Sequence, residues 1–146
     1  MKINFRSSCP IASALDVIGD KWILVIVKQM LFDRKQTFKE FIESDEGIAT
    51  NILTIKLKLL VKLKIVKKSK LPNNKKSIYY NLTDKGLSLA TVLIELALWS
   101  DKNLREHNII MLNSEIFTKI KSNKVKFINS LIETYKKKLA KTMYIR

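Results

Sequence analysis

The stretch from residue 49 to residue 82 constrains the fold of this chain more than any other. Leu53, Leu57 and Leu60 recur at the spacing that brings side chains to one side of an α-helix. This spacing predicts a helix over Ala49–Leu63 that buries the three leucines. The opposite face is then polar and basic, with Thr54 and Leu59 at its edges, and consists of Asn51, Ile55, Lys58 and Lys62.

A second, shorter helix is predicted just before this one. Thr37 is a favourable N-cap, and Glu40 follows three residues later, which is the pattern of a capping box. Phe38, Phe41 and Ile42 would share one face, and a helix stop is expected by Gly47. A short helix, a turn and a helix with a basic outer face together predict a helix-turn-helix.

A β-hairpin is predicted directly after the helix-turn-helix. Lys64–Lys70 and Ser77–Leu82 have strand composition, and Leu71–Asn74 has the proline and asparagines of a turn. A hairpin in this position is a wing. It carries five lysines, Lys67, Lys68, Lys70, Lys75 and Lys76.

Helices are expected on both sides of this core motif. Pro10 suits the first position of a short helix, and Lys21–Phe32 is apolar nearly all round, which indicates burial on all sides or contact with a second subunit. After the hairpin, Thr83 caps a helix that runs to about Arg105 and buries an apolar stripe that includes Trp99. A further helical segment, Ser114–Lys141, has a break near Ser122-Asn123.

These elements define the expected fold class. The chain is mainly α with a small β-hairpin wing, a winged helix-turn-helix plus a C-terminal helical extension. Residues 1–108 would form the DNA-binding and dimerisation domain, and residues 109–146 a basic, amphipathic extension.

Charge is concentrated in two blocks of the sequence. The formal net charge is +15; residues 47–83 carry nine basic and no acidic residues, and residues 119–146 carry nine basic and one acidic. Such a balance favours a polyanionic partner, nucleic acid first and an anionic membrane second. For the second block, a solvated helix face is the simpler explanation. One cysteine and one histidine exclude cysteine clusters and two-histidine metal motifs, so we expect no metal and no cofactor.

Several short motifs follow one another in a recognisable order between residues 9 and 104. They are Cys9-Pro10, Gly19-Asp20-Lys21-Trp22, Phe38-Lys39-Glu40-Phe41, Gly47-Ile48, Ile65-Val66, Tyr80-Asn81-Leu82-Thr83-Asp84-Lys85-Gly86 and Leu98-Trp99. This set resembles the HxlR-type (MarR-like) family of bacterial winged helix-turn-helix transcriptional regulators. The resemblance implies a homodimeric repressor or activator. The single cysteine favours a reducing, cytoplasmic location, on the nucleoid. No nucleophile–base pair, phosphate loop or metal set is found that would indicate an enzyme. A non-regulatory winged-helix protein of a plasmid or phage, serving replication or DNA architecture, is the alternative.

The resemblance also implies where this chain meets DNA and its own second copy. The helix over Ala49–Leu63 would enter the major groove of duplex DNA, and the wing would lie near the minor groove or backbone. Dimerisation would use Ile11–Phe32 and Asp84–Arg105. The interface candidates are Trp22, Ile23, Ile26, Leu93, Leu96 and Trp99. Core packing is the favoured role of the two tryptophans, and a pocket for an unknown effector is the alternative.

The sequence departs from the family pattern at three positions. Ala49 replaces the serine that usually starts the recognition helix, which removes a cap worth about 0.5–2 kcal/mol. Lys64 replaces the glycine that usually ends it, at a cost of about 1 kcal/mol if its backbone is left-handed. Ser77 stands where a basic residue commonly precedes the second wing strand, and Lys75 and Lys76 are its nearest substitutes.

Candidate DNA contacts follow from the position of each side chain on the recognition helix. Asn51, Thr54 and Ile55 project from its first two turns, where base edges are read, and Thr50 and Lys58 are placed for phosphate. An asparagine can bond adenine, and apolar groups can meet the thymine methyl, which favours an A/T-leaning site. The wing candidates for phosphate are Lys67, Lys68, Lys70, Lys75, Lys76 and Ser77. Solvated surfaces with no partner are the alternative for both sets.

Cys9 is a candidate redox sensor. It immediately precedes the helix that begins at Pro10, where the helix dipole and nearby Arg6 would favour the thiolate form. Some members of the family that this chain resembles sense oxidants or electrophiles through a cysteine at this place. Because the chain has one cysteine, sensing would need an intersubunit disulfide or an adduct with a small thiol. An inert, partly buried thiol is the alternative.

Overall fold

The computed structural model describes residues 2–111 and 115–144. The chain divides into two compact units, and the boundary between them falls after Leu87. The first unit contains five helices and one two-stranded sheet: α1 (Pro10–Ile18), α2 (Lys21–Phe32), α3 (Phe38–Ile42), α4 (Thr50–Lys62), β1 (Val66–Leu71), β2 (Asn74–Leu82) and α5 (Asp84–Leu87). The second contains α6 (Ala90–Asn103), α7 (Glu115–Ser122) and α8 (Lys124–Tyr144). The predicted winged helix-turn-helix with C-terminal helices is therefore confirmed.

The core of the first unit lies between α2, α4 and the base of the hairpin. The predicted leucine stripe of α4 is fully buried, as are Ile23 and Met30 of α2. Val66, Tyr80 and Leu82 close the core from the strands. Burial of a leucine-sized side chain contributes about 1.5–3 kcal/mol, so this cluster holds α4 in place. Trp22, Leu24 and Val25 on the other side of α2 are half-buried.

Asp20 links the start of α2 to α4. Its carboxylate accepts a hydrogen bond from the backbone N–H of Trp22 at 2.9 Å, which caps the helix, and forms an ion pair with Lys56 at 2.9 Å. The hydrogen bond from Lys56 is the main cause that lowers the pKa of Asp20 below its ordinary value. The stabilisation that this ion pair gives the folded state is therefore lost as the pH falls through the lowered pKa of Asp20.

The helix after the wing differs from the expected single helix. It is two helices, α5 and α6, separated by a turn at Ser88-Leu89. The first is held on the hairpin, because the Thr83 hydroxyl oxygen accepts a hydrogen bond from the Gly86 N–H at 3.1 Å. The expected core role of Trp99 is also wrong, since this side chain is 59% exposed.

Within the described residues, the second unit consists of α6, α7 and the 21-residue α8. Ile94 of α6, Ile120 of α7 and Ile128 and Tyr135 of α8 are buried. The predicted break is confirmed, since α7 ends at Ser122 and α8 begins at Lys124. Ser114, where we expected the segment to start, lies outside the described residues.

Asp101 joins α6 to α7. Its carboxylate forms ion pairs with Lys121 at 2.8 Å and with Arg105. These hydrogen bonds, that of Lys121 foremost, lower the pKa of Asp101. Lys124 makes a corresponding ion pair with Glu95 of α6. None of the helices in the described ranges is both long enough and apolar enough to cross a membrane.

Candidate nucleic-acid interface

The outer face of α4 presents the side chains expected to meet DNA. Thr50, Asn51 and Lys58 are exposed, and Ile55 is 57% exposed although it is apolar. Thr54 is half-buried, and its hydroxyl donates to the Thr50 carbonyl at 2.9 Å.

The start of α4 confirms the consequence expected from Ala49. This residue is the N-cap, and no side-chain hydrogen bond caps the helix there. The first-turn N–H groups of a helix have no acceptor within the helix. They carry a partial positive charge that attracts anions, phosphate included.

The end of α4 is fastened to the base of the hairpin. The φ angle of Lys64 is 57°, so its backbone is left-handed, as expected from the missing glycine. Its carbonyl accepts a hydrogen bond from the Thr83 hydroxyl at 2.6 Å, and the Leu63 carbonyl accepts one from Lys85 at 2.9 Å. The Ile65 carbonyl accepts the Thr83 N–H at 3.0 Å. Three successive carbonyls are thus bonded to the segment that follows β2.

A second set of hydrogen bonds fastens the other side of the hairpin to the segment before α3. The Gln36 carbonyl accepts the Tyr80 N–H at 2.7 Å, and the Gln36 amide donates to the Asn81 side chain at 2.7 Å. Asn81 is 4% exposed and donates in turn to the Ser69 hydroxyl at 3.1 Å. No sequence pattern predicted the contact between Gln36 and Asn81. A buried amide needs a hydrogen-bond partner, and these two side chains supply one to each other.

Glu40 holds Gln36 in position. The predicted capping box is confirmed, since the Thr37 hydroxyl accepts the Glu40 N–H and the Glu40 carboxylate accepts the Thr37 N–H at 2.8 Å. The same carboxylate accepts the Gln36 N–H at 2.6 Å. Burial raises the pKa of Glu40, but the hydrogen bonds from the Gln36 and Thr37 N–H groups outweigh it, and the net pKa is lowered.

The hairpin projects its lysines from a well-defined register. Lys67 pairs with Asn81 and Lys68 with Tyr80, and the pairing is irregular between Ser69 and Leu71. All five wing lysines are exposed: Lys67, Lys68, Lys70, Lys75 and Lys76. Ser77, expected just before the second strand, instead lies inside β2, because this strand already begins at Asn74. Its side chain is half-buried.

The six candidates for the dimer interface differ in how much of each side chain is exposed. Ile23, Ile26 and Leu93 are buried within the protomer, which leaves them little surface for a partner. Leu96 and Trp99 are exposed and lie beside Val92 in an open groove of about 820 Å³ along α6. Trp22 is half-buried, with the Lys21 ammonium 4.8 Å from its ring centroid.

Cys9 is exposed and forms the N-cap of α1 without a side-chain hydrogen bond from the helix. Its backbone is ordered by two contacts: its N–H donates to the Ser7 hydroxyl, and its carbonyl accepts the Ser13 hydroxyl at 2.9 Å. Arg6, expected to favour the thiolate, instead forms an ion pair with Asp16 at 3.0 Å. The charge of Arg6 is thereby offset.

Comparisons with known proteins match the winged part of the chain. The profile of the HxlR-like helix-turn-helix family matches residues 17–108. The transcriptional regulator YodB of Bacillus subtilis is 34% identical over 98 residues, which are 66% of this chain and 87% of YodB. The regulator YvaP of the same organism is 32% identical over 99 residues, 67% of this chain and 91% of YvaP.

Solved structures agree with these matches. The reduced form of YodB superposes with a TM-score of 0.57 at 32% identity, covering 68% of this chain and 98% of YodB. The redox regulator HypR in its oxidised form gives a TM-score of 0.58 at 30% identity, covering 65% of this chain and 97% of HypR. The chain therefore belongs to the HxlR-like helix-turn-helix family and is a transcription regulator rather than an enzyme.

Proposed function

We propose that this protein is a homodimeric regulator that binds a specific duplex DNA sequence through α4 and the hairpin. In this proposal α4 enters the major groove, where Asn51, Thr54 and Ile55 meet base edges. Thr50 and Lys58 bind phosphates beside them. The hairpin contacts the backbone through Ser77 and its five lysines, Lys67, Lys68, Lys70, Lys75 and Lys76. The protein would act in the cytoplasm, on the nucleoid.

The observation that carries this proposal is the uniform charge of a surface held in a fixed shape. Residues 47–83 contain nine lysines and no acidic residue, and they include both α4 and the hairpin. Eight of these lysines are exposed, and the ninth, Lys56, is paired with Asp20. Thr83 bonds the hairpin to the end of α4, and Gln36 bonds it to the segment before α3. A basic surface with fixed geometry supplies phosphate contacts that set register, which base reading requires.

The second copy of the chain is proposed to meet the exposed stripe of α6. Val92, Leu96 and Trp99 lie four and three residues apart, so they share one helix face. Large apolar side chains on one exposed face are typical of protein interfaces, and tryptophan is enriched at their centres. In this arrangement residues 1–108 serve DNA binding and dimerisation, and residues 109–146 are an addition.

Fluorescence anisotropy tests the DNA-binding proposal. The probes are the duplex immediately upstream of the protein's own gene and a scrambled duplex of equal composition. We expect nanomolar binding to the first and at least about 10³-fold weaker binding to the second. With about six phosphates contacted per dimer by α4 and the hairpin, log K should fall against log salt with a slope near −5 or steeper. Equal, weak binding to both duplexes would favour the architectural or replication function instead.

We further propose that Cys9 makes DNA binding sensitive to oxidants. Its exposure supports this, as does the similarity to the redox regulator HypR and to YodB, of which quinone-bound and diamide-treated structures are known. Diamide accepts two electrons and two protons as two thiols become one disulfide. Here the two thiols are Cys9 from each protomer, or Cys9 and a small thiol.

The variant Cys9→Ser tests this proposal. We expect diamide to weaken operator binding of the unmodified protein at least about tenfold and dithiothreitol to restore it. In Cys9→Ser, diamide should have no effect, because the chain then has no thiol. Non-reducing gel electrophoresis separates a disulfide-linked dimer from a small-thiol adduct. Loss of DNA binding by the oxidised variant would show that Cys9 is not the sensor.

A further inference from the structure

We propose that the C-terminal extension, formed by α7 and α8, is a second DNA-contacting surface that binds phosphates through the outer lysines of α8. The inference rests on the proposed function only in taking duplex DNA as the partner. The extension lies beyond residue 108, where the family match ends. The match to YvaP already covers 91% of that relative, so the extension is an addition relative to it.

The apolar side of α8 is occupied within the second unit. Ile128 and Tyr135 are buried, and Phe127, Leu131 and Leu139 on the same side are half-buried. A basic amphipathic helix that binds membranes needs an exposed apolar face to insert. Because α8 packs this face against α6, the side that remains for a partner is the polar one.

The inner lysines of the extension are neutralised by acidic residues of α6. Lys121 pairs with Asp101, and Lys124 pairs with Glu95. These contacts account for how the extension is attached to α6. They also remove the inner lysines from the set available to an anion.

The outer face of α8 keeps its charge. Three exposed lysines, Lys126, Lys137 and Lys141, lie on it, and Lys138, also exposed, lies two turns after Leu131 beside the apolar side. Glu133 is the one acidic residue in the helix. From the first to the last of these lysines the helix rises about 22 Å, at 1.5 Å per residue. Duplex DNA carries one phosphate charge per about 1.7 Å of its axis, so a basic face of this length lies opposite several phosphates. The four lysines are Lys126, Lys137, Lys138 and Lys141.

Replacing all four lysines by glutamine tests the inference on the full-length protein. Glutamine keeps the helix propensity of lysine and removes only the charge. If each protomer loses one phosphate contact, affinity at 0.15 M salt falls about 30-fold. The salt slope becomes flatter by about 1.8 in the same variant. The loss should be equal for operator and scrambled duplex, because phosphate contacts carry no sequence information.

Two matched variants control for folding and for charge. The corresponding four arginine substitutions keep the charge and should retain wild-type affinity and slope. Glu133→Gln removes the acidic group from the same face and should tighten binding to both duplexes several-fold. Circular dichroism should show equal helix content in all variants.

The outcomes separate this inference from the proposed function. Unchanged affinity and slope in the glutamine variant would overturn the inference and leave operator binding by α4 intact. A wild-type protein without operator preference, whose non-specific binding still drops in the glutamine variant, would support the inference and refute the proposed function. Co-sedimentation with phosphatidylserine vesicles that is lost in the glutamine variant, with DNA binding unchanged, would assign the face to membranes and overturn the inference.

Discussion

Gly86→Ala is expected to destabilise the winged unit by about 3 kcal/mol, at the upper end of what overpacking usually costs. A Cβ added at Gly86 would lie 2.2 Å from the Ile65 carbonyl oxygen and 3.0 Å from the Leu82 side chain. This oxygen belongs to the segment that connects α4 to β1, so it cannot move without shifting the base of the hairpin. A chain of this size should lose about 10 °C in its thermal midpoint, measured by circular dichroism.

Lys64→Gly is the control of opposite sign, at the residue that precedes Ile65 in the chain. Lys64 is exposed and left-handed, so glycine relieves backbone strain without removing buried surface. The relieved strain is about 1 kcal/mol, and the larger entropy of the unfolded glycine chain offsets about 0.5–1 kcal/mol of it. We therefore expect a net stabilisation of no more than about 0.5 kcal/mol. Urea unfolding measures both variants. A Gly86→Ala protein as stable as the parent would contradict the close packing of α5 on the hairpin.

Neutralising the wing is expected to have the largest effect on DNA binding. With Lys67, Lys68, Lys70, Lys75 and Lys76 replaced by glutamine, the dimer would lose about four phosphate contacts. Each contact contributes roughly fivefold at 0.15 M salt, so operator affinity should fall by about 10³-fold. The salt slope should flatten by about 3.6. The buried hairpin residues are untouched, so the variant should fold.

Asn51→Ala is the matched control for the wing variant, because it changes a base-reading candidate without changing charge. It should reduce discrimination between operator and scrambled duplex by about 10- to 100-fold. Its salt slope should equal that of the parent protein. Anisotropy titrations at four salt concentrations measure all three proteins. A wing variant with unchanged slope would remove the hairpin from the DNA surface.

Local sequence patterns predicted most helices correctly, because the governing interactions lie within a few residues. The leucines of α4 and the capping box of Thr37 and Glu40 are examples. The same patterns could not predict the interruption between α5 and α6. Helical spacing continues through Ser88, and the break accompanies a contact between Gly86 and Ile65, which is distant in sequence.

Prediction of the site failed where two segments distant in sequence meet. Gln36 and Asn81 are 45 residues apart, and no local sequence pattern around either residue indicates a contact with the other. The prediction that Trp99 packs in the core was wrong for a different reason. An apolar stripe indicates that a helix face is to be covered, but it does not say whether the same chain or another one covers it.

The hairpin is anchored at its base and unpacked at its tip, so its two ends tolerate substitutions differently over evolutionary time. Thr83, Gln36 and Asn81 bind the base, whereas every residue from Pro72 to Lys76 is exposed. Substitutions at the tip therefore alter the reach and charge of the wing with almost no penalty in folding stability. A lineage can therefore tune its overall affinity for DNA through the tip alone, while the base tolerates few changes.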